Sequence, residues 1–313
     1  VMVGTSDYSL VPVLTPLSFV ESVYDFETQS STSARLKDKF EEIDSLDYGV
    51  AYHQLEMLGG DVLHQQGFRG AGMQVAVLDA GFYKVNELDA FDHLFANGQI
   101  LGTWDFVAGE PAVYDDHNHG MVVLSTMGAH LPNEMIGTAP EASYWLLRTE
   151  DAESENLIEE YNWLCGAEFA DSVGADIINS SLGYTTFDVA TQDHTYADMN
   201  GVSTPISRAA TMAARKGIIV CNSAGNSGND SWHYIGAPAD ADSILSVGAV
   251  YANEVPTSFS SYGPSSDGRV KPTISAQGGS AVIYNTSNQV GISNGTSFSS
   301  PIISGMTASL WQA

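Results

Sequence analysis

A serine, a histidine and an aspartate in this chain each sit where a side chain could take part in bond breaking. Ser297 lies in Ser293-Asn294-Gly295-Thr296-Ser297-Phe298-Ser299-Ser300-Pro301, followed by apolar Ile302, Ile303, Met306, Ala308, Leu310 and Trp311. That spacing predicts a buried helix with Ser297 at its start and Pro301 in its first turn. Free backbone N–H groups at such a start can hold the oxyanion formed when a nucleophile attacks a carbonyl. Asp79 follows the apolar run Val75-Ala76-Val77-Leu78 and precedes Ala80-Gly81. His119 stands in Asp115-Asp116-His117-Asn118-His119-Gly120-Met121-Val122-Val123. Together they supply a nucleophile, a base and a residue to orient the base. Each also has a plainer reading: a Ser/Thr-rich helix cap, a turn-forming Asp, and a polar loop. Asp115, Asp116, His117 and His119 could instead serve a metal-dependent hydrolase.

The elements that must position these residues alternate along the chain from Tyr48. Short apolar runs predict buried strands at 75–78, 100–107, 143–148, 176–180, 218–221 and 243–250. Helices are expected over 153–173 and 202–216. In the first, Leu157, Ile158, Tyr161, Leu164, Cys165 and Phe169 share a stripe, and acids crowd the first turn. This rhythm predicts an α/β domain with a mainly parallel sheet, whose functional residues follow the strands at the carboxyl edge.

Length and charge set bounds. The chain has 313 residues, 11 basic against 38 acidic, a net charge of -27. Nucleic acid and anionic membrane surfaces would repel it, so neither is an expected partner. No apolar run is long enough for a transmembrane helix. Cys165 and Cys221 are too few for a disulfide scaffold and too far apart for a CxxC site; two free thiols are expected. Residues 1–45 differ in texture, with a Pro-punctuated extended stretch, a polar linker over 27–35 and a short charged helix over 37–46.

The motifs resemble the subtilisin-like serine proteases, the subtilases. The matching boxes are Val75 to Gly81 around Asp79, His119 to Val123, and Gly295 to Pro301 around Ser297. Their order is Asp, His, Ser, and no G-x-S-x-G elbow of the α/β-hydrolase kind occurs. Ser181-Leu182-Gly183 resembles the family's substrate-pairing segment, and Ser223-Ala224-Gly225-Asn226 its oxyanion-hole loop. Phe259 to Pro264 and Gly268 to Pro272 resemble further family segments, so the likeness runs from about Tyr48 to Trp311.

The resemblance implies a three-layer subtilisin-like α/β fold, a mainly parallel central sheet with helices on both faces. It implies a serine endopeptidase with Asp79, His119 and Ser297 catalytic. Asn226 and the Ser297 backbone would form the oxyanion hole, and Ser181, Leu182, Gly183, Ala224 and Gly225 would bind substrate. Polypeptides would be the substrates, and the catalytic domain (46–313) a secreted, extracellular monomer made as a zymogen. Its own propeptide would inhibit it. Pro16 to Val23 resembles a propeptide end, so 1–45 is read as propeptide remnant and linker, and the chain as a fragment cut short at both ends. The alternative within the family is a silent, peptide-binding relative. No cofactor or metal is assigned. The loop 129–137 lacks the Asn-rich run that binds structural calcium in many subtilases, and calcium is left open. Met121 (usually Thr), Thr273 (usually an acid) and Gln277 (usually Pro) depart from the family pattern.

Overall fold

A computed structural model describes residues 47–313. The propeptide and linker reading of 1–45 and the helix expected over 37–46 lie outside the described residues.

In chain order the elements are α1 (Tyr52–Glu56), α2 (Gly60–Gln65), β1 (Gln74–Asp79), α3 (Asp92–Ala96), β2 (Ile100–Asp105) and α4 (His119–Gly128). Next come β3 (His130–Leu131), β4 (Met135–Ile136), β5 (Ser143–Arg148), α5 (Ile158–Val173), β6 (Ile177–Ser180) and α6 (Pro205–Arg215). The chain continues through β7 (Ile219–Ser223), β8 (Leu245–Val250), β9 (Ile274–Gln277), β10 (Ala281–Tyr284), β11 (Val290–Ser293) and α7 (Thr296–Gln312). Seven strands form one sheet in the order β2-β5-β1-β6-β7-β8-β9, all neighbours parallel. The chain places strands first to one side of β1 and then to the other, which makes the β1 end a switch point for a site.

β1 shows why the sheet needs helices on both faces. Val75 and Val77 enter one core, with Met121 and Leu124 of α4 and Ile302 and Ile303 of α7. Ala76 and Leu78 enter the other, with Trp163 of α5 and Ile206 and Ala210 of α6. Successive side chains point to opposite faces, so a strand covered twice must be apolar throughout. The α/β architecture with a mainly parallel sheet and flanking helices is as the sequence predicts.

Several boundaries and one helix face differ. β2 stops at Asp105 because its carboxylate caps the N–H groups of Val107 and Ala108, which turns the chain. α6 starts at Pro205, after Thr204 caps it through Ser207 N–H. The preceding N–H groups of Val202 and Ser203 bond to the Asn200 side chain instead. α5 starts at Ile158, and its buried face carries Glu159, Glu160, Trp163, Gly166, Ala167 and Ala170. Ile158 and Tyr161 of the expected stripe are exposed, and so is Cys165. The small residues win because they let the helix approach the sheet closely: a Cβ on Gly166 would lie 3.0 Å from Leu78. In α7, Leu310 and Trp311 are exposed rather than buried. That end of the helix meets the loop at Gly70 and Ala71 through the Gln312 side chain.

Candidate active site

Parallel strands bring their carboxyl ends to one edge. Asp79 ends β1, Ser181 follows β6, Asn226 lies just past β7 and Glu150 just past β5. Two helices begin at the same edge, α4 at His119 and α7 at Thr296. His119, Ser181, Leu182, Gly183, Ala224, Gly225, Asn226 and Ser297 all line one cavity of about 410 Å³.

Asp79 is fully buried, and its Oδ1 accepts from His119 Nδ1 at 2.7 Å and from Ala80 N–H at 2.8 Å. A carboxylate only accepts, so Nδ1 carries the proton and Nε2 is left as the base nitrogen. The close approach depends on Gly120: a Cβ there would lie 2.5 Å from the Gly81 carbonyl oxygen and 2.9 Å from the Asp79 Cβ. Any side chain would push the first turn of α4 off the strand end. Burial favours the neutral imidazole, but the Asp79 charge and hydrogen bond, with Glu150 beyond, hold the His119 pKa above its ordinary value.

Ser297 is the second residue of α7, so its backbone N–H is one of the helix's free donors. Pro301 sits in the second turn, not the first as the sequence suggests. It has no N–H to return to the carbonyl four residues back, which is that of Ser297. Ser181 Oγ donates to that carbonyl instead, at 2.9 Å. Ser297 Oγ makes a long 3.4 Å contact to the Ser181 carbonyl oxygen. Among the described residues no hydrogen bond joins Ser297 to His119; such bonds often tighten only with substrate in place.

Asn226 is held by its carbonyl end. Its Oδ1 accepts from the Thr296 N–H at 2.8 Å and the Thr296 hydroxyl at 3.0 Å, and Gly225 N–H donates to that hydroxyl. The Nδ2 group is therefore free to donate. Sequence reasoning gave Thr296 no role, because a contact across 70 positions leaves no local signal.

The expected substrate edge lies just past β6, outside the sheet strands. Leu182 is buried, with its carbonyl taken by Asn222 Nδ2 at 3.1 Å. Gly183 is exposed, and its backbone groups have no partner among the described residues. They are available to pair with another chain.

The residues of the metal alternative have other partners. Asp116 pairs with Arg148 at 3.2 Å, and His117 Nδ1 accepts the His119 N–H. Among the described residues no group of three or more His, Cys, Asp or Glu could hold a metal ion. Met121 is fully buried in the core. Thr273 ties β9 to β8 through Ser246, and Gln277 donates to the Ser280 carbonyl. Cys165 and Cys221 are both free, the first exposed and the second buried.

A base nitrogen, a helix-start serine and a free amide donor around one cavity are the equipment of a serine-type hydrolase. The model of the subtilase family, peptidase family S8, matches residues 70–313. Subtilisin DY of Bacillus licheniformis is 31% identical over 257 residues, covering 81% of this chain and 82% of its own. Subtilisin E of Bacillus subtilis (strain 168) is 30% identical over 269 residues, covering 84% of this chain and 60% of its own. Serine protease AprX of the same organism is 30% identical over 281 residues, covering 80% and 59%. The crystal structure of a cold adapted subtilisin-like serine proteinase superposes with a TM-score of 0.59 at 21% identity, covering 78% of this chain and 76% of that one, and so shows the fold. The chain belongs to the subtilase family and is a subtilisin-type serine endopeptidase.

Proposed function

We propose that this protein hydrolyses peptide bonds in extended polypeptides through Asp79, His119 and Ser297 and an acyl-enzyme intermediate. The observation that carries the reading is the 2.7 Å bond from His119 Nδ1 to buried Asp79, which aims the base nitrogen away from Asp79 beside a helix-start serine. Ser297 Oγ attacks the carbonyl carbon while His119 Nε2 takes its proton. Asp79 stabilises the imidazolium, and Asn226 Nδ2 with the Ser297 N–H holds the oxyanion. His119 then protonates the leaving amine, and water, deprotonated by the same nitrogen, releases the acid product. Substrate adds a strand beside Ser181-Leu182-Gly183, with Ala224 and Gly225 on the opposite wall.

The wider setting rests on the resemblance: a secreted, extracellular monomer, made as a zymogen whose propeptide blocks the cleft. In the described residues no helix is long and apolar enough to cross a membrane.

The test is labelling with a fluorophosphonate probe alongside cleavage of an unstructured peptide. Ser297 should be labelled, and Ser297→Ala should lose both label and cleavage. A protein that binds the peptide but takes no label would be a silent relative, and the proposal would fall.

A further inference from the structure

Glu150 lines the same cavity as His119 and Leu182, and no Lys or Arg lines it. Arg148, two residues before Glu150 in the chain, is already engaged: its guanidinium meets Asp105 at 2.8 Å, Asp116 at 3.2 Å and Asp151 at 3.6 Å. The Glu150 carboxylate is held from behind by the Tyr184 hydroxyl, which donates to Oε2 at 3.3 Å. Among the described residues the Tyr184 bond is the one hydrogen bond the carboxylate makes. A carboxylate fixed on one side and unpaired on the other, in a cleft wall, can accept a charge-assisted hydrogen bond from a substrate.

The sheet order says which substrate side chain meets it. Glu150 follows β5 and Asp79 ends β1, on one side of β6, while Ala224 and Gly225 follow β7 on the other. An extended peptide beside Ser181-Leu182-Gly183 turns successive side chains to opposite sides. The residue that donates the scissile carbonyl sends its side chain into the slot between that segment and Ala224-Gly225. The residue before it then faces the opposite way, over Ala80, His119 and Glu150.

We propose that Glu150 makes the enzyme select lysine or arginine at the residue immediately before the one that donates the scissile carbonyl. The inference rests on the peptidase reading of the site. The groups facing Glu150 are Asp79 at the β1 end, His119 on α4, Tyr184 beyond β6, Glu155 before α5 and Glu159 on α5. Burial, with the charges of Asp79, Glu155 and Glu159, pushes the Glu150 carboxyl up to about 8, while His119 pulls it down. The selectivity should therefore strengthen as pH rises and the carboxylate forms.

The experiment compares two peptides that differ only at this position, lysine against methionine, by kcat/KM at pH 6 and pH 9. The ratio cancels the titration of His119, which both substrates share, and the lysine side chain stays charged throughout. Wild type should favour lysine at least about fivefold at pH 9, a preference of at least about 1 kcal/mol, and less at pH 6. Glu150→Gln should bring the ratio near one at both pH values, and Glu150→Arg should favour a glutamate peptide over the lysine one. A wild-type ratio near one at pH 9, or an unchanged ratio in Glu150→Gln, overturns the inference while cleavage of the methionine peptide keeps the peptidase reading. Cleavage of neither peptide, with no label on Ser297, overturns both.

Discussion

Thr296 grips Asn226 twice through one oxygen, with both its N–H and its hydroxyl donating to Oδ1. The backbone donor decides the amide's orientation, since only the carbonyl end can accept. Thr296 is also the first residue of the helix that carries Ser297. The Asn226 amide and Ser297 are thus positioned from one turn of helix.

Asn226→Ala removes a donor that matters mainly once the oxyanion forms. It should lower kcat by about 10²–10³, the range known for loss of the corresponding donor in subtilisin, with KM little changed. Steady-state kinetics on one peptide checks this. A change in kcat within about twofold would reduce Asn226 to a turn residue.

Thr296→Val keeps the backbone bond but loses the hydroxyl, and it strands the Gly225 N–H that donates to it. The amide loosens, so kcat should fall about tenfold, the scale of one hydrogen bond of ~1–1.5 kcal/mol. Thr296→Ser should restore most of it. A loss in Thr296→Ser with none in Thr296→Val would point to packing by the methyl group instead.

His119 must be neutral to act as base. Its pKa lies above the ordinary value because Asp79 and Glu150 outweigh burial, and an ordinary imidazole titrates near ~6.5. The acid limb of kcat/KM should therefore have its midpoint above that value. A wild-type midpoint below about 6 contradicts the raised pKa expected from Asp79 and Glu150.

His64 predicts how the fold responds to acid. It is almost fully buried, with Nε2 bonded to the Thr138 carbonyl at 3.0 Å and Nδ1 to the Tyr48 hydroxyl at 3.1 Å. That pattern suits a neutral ring, and burial lowers its pKa to about 4. The unfolded chain, near ~6.5, takes up the proton first. Stability present above pH ~6.5 is then lost as pH falls toward 4, by up to roughly 3 kcal/mol. Thermal unfolding should show His64→Gln well below wild type at pH 8 and nearer to it at pH 4.5. A gap independent of pH would rule the histidine out as the cause.

The sequence carried six of the seven strands of the central sheet, all but β9, with the sheet type and the three catalytic candidates, because their signals are local. An apolar run followed by Asp or Asn-Gly chemistry marks a strand end, and strand ends of a parallel sheet meet. Thr296's hold on Asn226, the Ser181 bond to Ser297 and the place of Glu150 beside the cleft are tertiary contacts that no periodicity reports. The buried face of α5 was misjudged for a different reason. Counting large apolar residues favours Ile158 and Tyr161, yet contact distance favours the Gly166-Ala167-Ala170 side, where nothing protrudes.

The proline in the second turn of α7 has a consequence for where a polypeptide is cut. By freeing the Ser297 carbonyl for Ser181, it ties Ser297 to the start of the proposed pairing edge through a side chain of the enzyme itself. The offset between edge and nucleophile is then set before any peptide arrives. A peptide can slide along that edge only in whole residues, and a slip of one residue turns each of its side chains to the other wall. In a peptide of alternating character, secondary cuts should fall two residues from the main one, and mapping the product ends by mass would show that spacing.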